Sequence, residues 1–180
     1  FECMELAYNL VTFVRMRSAL KRLAPQLIYE RYSLFLFATV WMAKRRGIPL
    51  VLEINDSALV ERVRPLWMKG LARRIERWCF TNATGLVFIS GYFRDRAREA
   101  YGAIAPAVIS PNAADLKRFD PERFDREALR RERGLAGRVV CGHIGVFAWW
   151  HGLEAFVEAV AARLTEAPEL TLVLVGDGPL

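Results

Sequence analysis

Arg138-Val-Val-Cys-Gly-His-Ile-Gly-Val-Phe147, followed by Ala148-Trp-Trp-His-Gly152, opens the stretch that decides the fold. It closes with Leu170-Thr-Leu-Val-Leu-Val175 running into Gly176-Asp-Gly-Pro179. The two apolar runs are strand-like. Between them Leu153, Phe156, Val157, Val160, Ala161 and Leu164 recur at the spacing of one buried helical face. The stretch therefore predicts a βαβ unit with glycine-bearing loops at the carboxyl ends of both strands. Open parallel sheets bind ligands at those ends. The unit looks like the opening of a nucleotide-binding domain.

Upstream, the same alternation repeats. A helix over 5–22 is broken by Pro25. A short strand follows over 27–31. Ser33 is placed to cap a helix that runs to Arg46, with Gly47 ending it. Pro49-Leu-Val-Leu-Glu-Ile-Asn55 is a strand with a polar end, followed by a polar loop over 56–64. A helix over 66–80 carries Trp67, Leu71, Ile75 and Trp78 on one side and Lys69, Arg73, Arg74 and Arg77 elsewhere. Strand 85–90, a charged helix over 92–101 closed by Gly102, and strand 107–110 complete the pattern. Strands alternating with helices of about ten to fifteen residues predict parallel βαβ units with helices on both faces. At residues 117–137 the composition shifts: the run is rich in charge, with no strand signal. This divides the chain into an acceptor-side unit over 1–116, a connection over 117–137, and the start of a second unit over 138–180.

Composition narrows the classes. The chain has 180 residues, 53% of them hydrophobic, enough to bury a core. Net charge is +6, with arginine far outnumbering lysine. Such an excess is either a solvated basic surface or an attraction to phosphorylated substrates and anionic membrane faces. The chain has no zinc-finger spacing and no RNA-recognition motif, and nucleic acid is not an expected partner. Cys3, Cys79 and Cys141 are far apart and suit a reducing compartment. The longest apolar run, 33–43, is about half the ~20 residues a membrane-spanning helix needs. The start at Phe1 and the stop after Leu180 are expected of an internal segment of a longer protein.

Four segments, in this order, resemble a known family. They are Pro49-Leu-Val-Leu-Glu-Ile-Asn55, Leu86-Val-Phe-Ile-Ser90, Ser110-Pro-Asn-Ala-Ala-Asp115 with Phe119 and Pro121, and the run from Gly142 to Gly152 continued by Val175-Gly-Asp-Gly-Pro179. Together they are similar to the retaining glycosyltransferases with two Rossmann-like domains, the GT-B fold of glycosyltransferase family 4 (group 1). The resemblance implies transfer of a sugar from a nucleoside-diphosphate sugar, with retention, to a lipid-linked, polysaccharide or small-molecule acceptor. It implies no cofactor beyond that co-substrate, and a cytoplasmic enzyme, peripheral at the inner membrane face, with the basic helix over 66–80 toward the membrane. It also places a glycine-rich loop before Phe1 and an acidic pair beyond Leu180, so residues 1–180 alone are expected to be inactive and prone to aggregate.

The same resemblance assigns candidate residues. Gly145, Val146, Gly152, Gly176, Asp177 and Gly178 would face the donor. A backbone without side chains can approach a diphosphate, and the next helix offers free N–H groups and a positive dipole. His151 stands where many members have lysine, and a histidine can donate to phosphate. Ala148 stands where related loops often carry Arg or Lys. One ring of Trp149 and Trp150 is expected in the core and the other on the surface. Asp177 is a lone carboxylate, not half of an Asp-x-Asp pair, so no metal site is expected.

On the acceptor side, Glu53 and Asn55 share a face by period two. Asn55 and Asp56 are the candidates to contact the transferred sugar, and Glu53, Ser90 and Asn112 are cleft candidates. Each also has a plain structural reading: a solvated strand end for Glu53 and Asn55, a tight turn for Pro111-Asn112 and Asp177-Gly178. Two other functions share these loops, a nucleotide-sugar epimerase on the same fold and a nucleotide-binding module without catalysis.

Overall fold

The structure is a computed structural model, and it describes residues 1–60 and 65–180. The expected polar loop over 56–64 therefore lies partly outside the described residues. The chain divides into two compact units, Phe1–Ala113 and Ala114–Leu180. The charged stretch over 117–137 falls with the second unit.

The first unit is a four-stranded, fully parallel sheet in the order β1-β2-β3-β4. Its strands are β1 (Ile28–Arg31), β2 (Leu50–Ile54), β3 (Gly85–Phe88) and β4 (Ala107–Ile109). The helices are α1 (Glu2–Leu23), α2 (Ala38–Arg46), α3 (Lys69–Asn82) and α4 (Gly91–Tyr101). Leu50, Leu52 and Ile54 of β2 and Leu86 and Phe88 of β3 are buried, alternating with half-buried neighbours. One sheet face therefore makes the core, together with Phe35, Val40 and Ala43, Ala72, Cys79 and Phe80, and Ala97 and Tyr101. Phe80 sits at its centre, edge-on to Tyr32 (5.2 Å), Phe88 (5.8 Å) and Tyr101 (6.0 Å). Each such ring contributes about 1.5–3 kcal/mol by burial.

The expectation of helices on both faces does not hold here. The opposite face carries Tyr29, Val51, Glu53, Val87 and Val108 by register. Tyr29 is 57% exposed and Val108 61% exposed.

Two helix starts differ from expectation for one reason. Ser33 caps nothing. The chain turns through Phe35, held at φ 63°, and α2 begins at Ala38. Its amides are capped from α1: Asn9 Oδ1 accepts from Phe37 N (2.9 Å) and Ala38 N (3.0 Å), and Asn9 Nδ2 donates to Phe35 O (2.9 Å). Likewise Glu2 accepts from Trp67 N and Met68 N, both at 2.7 Å, just ahead of α3. Trp67 itself is 94% exposed, and the buried residues of α3 are Ala72, Glu76, Cys79 and Phe80. The face drawn through Trp67 and Leu71 is thus not the core face. Ile75 and Trp78 pack only at its margin.

The second unit pairs β5 (Val139–Val146) and β6 (Leu170–Asp177) in parallel, joined by α6 (Leu153–Leu164). A short helix α5 (Arg126–Glu132) precedes them, with Asp125 capping Ala128 N at 2.9 Å. Of the apolar stripe on α6, only Leu153 and Val160 are buried. Cys141 is half-buried rather than in a buried strand, and Ile144 is 83% exposed. No helix among the described residues is long and apolar enough to cross a membrane.

Candidate functional site

The carboxyl end of the first sheet gathers the acceptor-side candidates. Register places Ile54 beside Phe88 and Phe88 beside Ile109, so the residues just beyond them leave the sheet at one edge. Those residues include Asn55, Asp56, Ser90 and Asn112. Glu53 and Asn55 share a face as expected: Asn55 Nδ2 donates to Glu53 Oε1 at 2.6 Å. Tyr29, from the neighbouring strand, donates its hydroxyl to Glu53 Oε2 at 2.8 Å.

The Asn55 and Tyr29 hydrogen bonds, with Arg31 nearby, hold the Glu53 carboxyl below the usual carboxylate range. The reciprocal effect raises the Tyr29 hydroxyl. Glu53 is thus fixed as an anion and an acceptor. Asn55 spends its amide donor on it, while its Oδ1 stays buried with no donor among the described residues. Asp56 Oδ1 accepts from Ser57 N at 2.8 Å. Ser90 has a local duty: its Oγ accepts from Phe93 N at 3.3 Å and caps α4. Asn112 is exposed beyond β4.

The loop that follows Asp56 is anchored by a residue missing from the sequence-derived candidates. Glu76 of α3 is fully buried. Its Oε1 accepts from Ser57 Oγ (2.7 Å) and Tyr101 Oη (2.7 Å), and its Oε2 accepts from Ala58 N (2.8 Å). Burial raises the carboxyl, and the three hydrogen bonds oppose that rise only in part. The Tyr32 hydroxyl, also buried beside Glu76, makes no hydrogen bond of good geometry among the described residues, and burial pushes it well up. The heptad-like spacing of Ala72, Cys79 and Phe80 encloses Glu76. An acid inside an apolar stripe was the signal available in the sequence.

The donor-side candidates meet at the end of the second sheet. Gly145 pairs with Gly176 and Val146 with Asp177. Both glycines belong to their strands, not to loops: each holds φ 153°, which keeps the backbone extended in a region closed to other residues. The expected turn after Val175 therefore starts later. A Cβ on Gly176 would run into Gly145 O, and one on Gly178 would lie 2.6 Å from Phe147 N. Asp177 Oδ1 accepts from Gly178 N at 2.7 Å and shapes the turn.

After β5, a single 3₁₀ turn (Trp149–His151) leads to Gly152 at φ 66° and the start of α6. Ala148 is fully buried, so a basic side chain has no room there. Trp149 is half-exposed, and the side chain of Trp150 lies outside the described residues. His151 is exposed at this turn, its ring 6.0 Å from that of His143. His143, absent from the sequence-derived candidates, packs 6.0 Å from Phe147, and its Nε2 is buried without a partner among the described residues. Its place two residues before Gly145, as the first of only two histidines in the chain, was readable in the sequence. No group of three His, Cys, Asp or Glu side chains among the described residues could hold a metal ion.

Parallel α/β units with polar and glycine-bearing segments on their carboxyl edges define the class. Residues 5–113 match the glycosyl transferase 4-like domain, and the chain belongs to that family. It is 29% identical over 112 residues to a GDP-mannose-dependent α-(1-6)-phosphatidylinositol monomannoside mannosyltransferase of Mycolicibacterium smegmatis, covering 62% of this chain and 29% of the relative. It is 27% identical over 148 residues to the α-D-kanosaminyltransferase of Streptomyces kanamyceticus, covering 77% of this chain and 37% of the relative. The chain thus spans about a third of the length of these curated relatives. Among solved structures it is similar to the Anabaena HepE protein in complex with UDP, with TM-score 0.71 and 20% identity over 92% of this chain and 43% of that one. That likeness agrees with the GT-B fold of Rossmann-like units expected from the sequence.

Proposed function

We propose that the full-length protein is a glycosyltransferase that moves a hexose from a nucleoside-diphosphate sugar to a carbohydrate or lipid-linked acceptor, with retention at the anomeric carbon. The observation that carries this reading is the Gly145–Gly176 pair at the end of the second sheet. Two side-chain-free backbones pair there at the strand ends, Gly145 beside His143, whose ring lies 6.0 Å from that of His151. β5 leads within a few residues into the N-terminus of α6, an order of elements suited to a diphosphate. Negative charge develops on the leaving diphosphate, and donors aimed at it lower the barrier. His151 and the first-turn amides of α6 would supply them. Asn55 and Asp56 would meet the transferred sugar. The names of the relatives support a nucleotide-sugar donor: one is called GDP-mannose-dependent, and HepE was solved with UDP-glucose.

A peripheral position at the cytoplasmic membrane face belongs to the same proposal. Its support is an open groove of about 620 Å³ lined by Phe37, Trp41, Leu71, Arg74, Ile75 and Trp78, with the Arg45 guanidinium 4.8 Å over the Trp41 ring. Mixed aromatic and basic surfaces of this kind suit anionic interfaces.

The test is turnover of UDP-glucose and GDP-mannose by the full-length protein, wild type against His151→Ala. A rise of about tenfold or more in donor KM is expected. Unchanged donor affinity removes His151 from the site, and nucleotide binding without turnover favours a binding module. Proton NMR of the anomeric centre in the product decides retention.

A further inference from the structure

Beyond the residues that would touch substrate, one buried side chain is built to hold them. Asp56 ends in a turn whose next two residues are both tied to α3. Ser57 Oγ donates to Glu76 Oε1 and accepts from Leu59 N at 3.1 Å, while Ala58 N donates to Glu76 Oε2. Tyr101, at the last turn of α4, donates to the same carboxylate. One carboxylate therefore joins α3, the end of α4 and the segment leaving β2.

Leaving a fully buried acid in this core is costly unless it is fully bonded. An apolar residue would fill the space more cheaply, so packing alone does not account for it. The bonds it makes are asymmetric: two of the three go to residues 57 and 58, directly after Asn55 and Asp56. Those two residues have no regular structure to fix them, since β2 ends at Ile54.

We infer that Glu76 is a positioning residue: through Ser57 and Ala58 it sets where Asn55 and Asp56 stand at the edge of the first sheet. This rests on the reading that Asn55 and Asp56 meet the transferred sugar. Catalytic groups displaced by about 1 Å can lose ~10²-fold in rate.

The experiment measures kcat and donor KM for UDP-glucose and GDP-mannose turnover by the full-length protein. Glu76→Ala is expected to lower kcat about 10²-fold per folded molecule and to leave donor KM within about threefold. Glu76→Gln, whose carbonyl still accepts from Ala58 N, is expected to recover most of the loss. Ser57→Ala removes one of the two ties to Glu76 without opening the core, and about a tenfold loss of kcat is expected there. It decides the matter if Glu76→Ala does not fold. In the double variant Ser57→Ala/Asn55→Ala the losses should be less than additive, because both act through one element.

Wild-type kcat in folded Glu76→Ala or in Ser57→Ala, or full additivity in the double variant, overturns the inference. Wild-type kcat in both Asn55→Ala and Asp56→Ala removes the sugar contact on which it rests, and the inference falls with that reading.

Discussion

Asn9 in α1 and Ala38 at the start of α2 are joined by a buried hydrogen bond of 3.0 Å, twenty-nine positions apart in the chain. Asn9 is only 3% exposed and uses both ends of its amide, one on Phe37 and Ala38, the other on Leu6 and Phe35. Asn9→Ala leaves those amides and the Phe35 carbonyl without partners. A loss of about 2–3 kcal/mol is expected, from the missing cap and the stranded groups. Thermal unfolding should fall by roughly 4–12 °C. A melt unchanged within 1–2 °C (about 0.5 kcal/mol on the same scale) would mean that solvent replaces the cap.

Glu76 makes stability depend on pH. Its carboxyl is raised from the ordinary 4.5 in the folded state, chiefly by burial. Below 4.5 both states carry the proton and the contribution is fully present. As pH rises, the unfolded chain ionises first, so stability falls through the window up to the raised folded value and then levels. Glu76→Gln does not titrate, and the same stretch of its stability–pH curve should be flatter. Chemical denaturation across pH 4 to 8, about the range where carboxylates and histidines titrate, measures the difference. Parallel curves would contradict the burial of this acid.

Gly176→Ala tests the glycine pair. The new Cβ would strike Gly145 O, and φ 153° is strained for alanine. A cost above about 2 kcal/mol is expected, as for a residue forced into a forbidden region with a clash. Hydrogen exchange should show the loss in β5 and β6 amides. Full protection there would show that the strands can part without cost.

Ala148→Lys would supply the basic side chain that the family resemblance leads one to expect in this loop, yet the structure predicts harm. Ala148 is fully buried, and an unpaired ammonium there is expensive. Lower thermal stability by several degrees, without tighter binding of UDP or GDP, is expected by calorimetry.

Cys79 is fully buried, its Sγ–H directed at Leu36 O at 3.7 Å, and burial raises the thiol far above its usual range. It should resist alkylation in the native protein and react only on unfolding. Cys3, exposed on α1, should react at once. Mass spectrometry of a timed labelling reaction separates them.

Local signals made most of the elements legible. Period-two alternation marks β2, where Leu50, Leu52 and Ile54 are buried. Gly47 and Gly102 end α2 and α4 in positive φ, as glycines after helices do. The face shared by Glu53 and Asn55 follows from strand geometry alone; that the two hydrogen-bond to each other came from the structure.

What the sequence by itself determined is the order of strands and helices, their alternation, and the edge on which the polar residues fall, because these depend on neighbours one to four positions away. Tertiary structure alone decided the partners. Glu2 and Asn9 cap helices whose amides lie far along the chain, Glu76 gathers donors from two other segments, and His143 approaches His151 across a turn. No local period encodes such pairings. They arise because buried backbone and side-chain polar groups must find donors or acceptors wherever packing brings them.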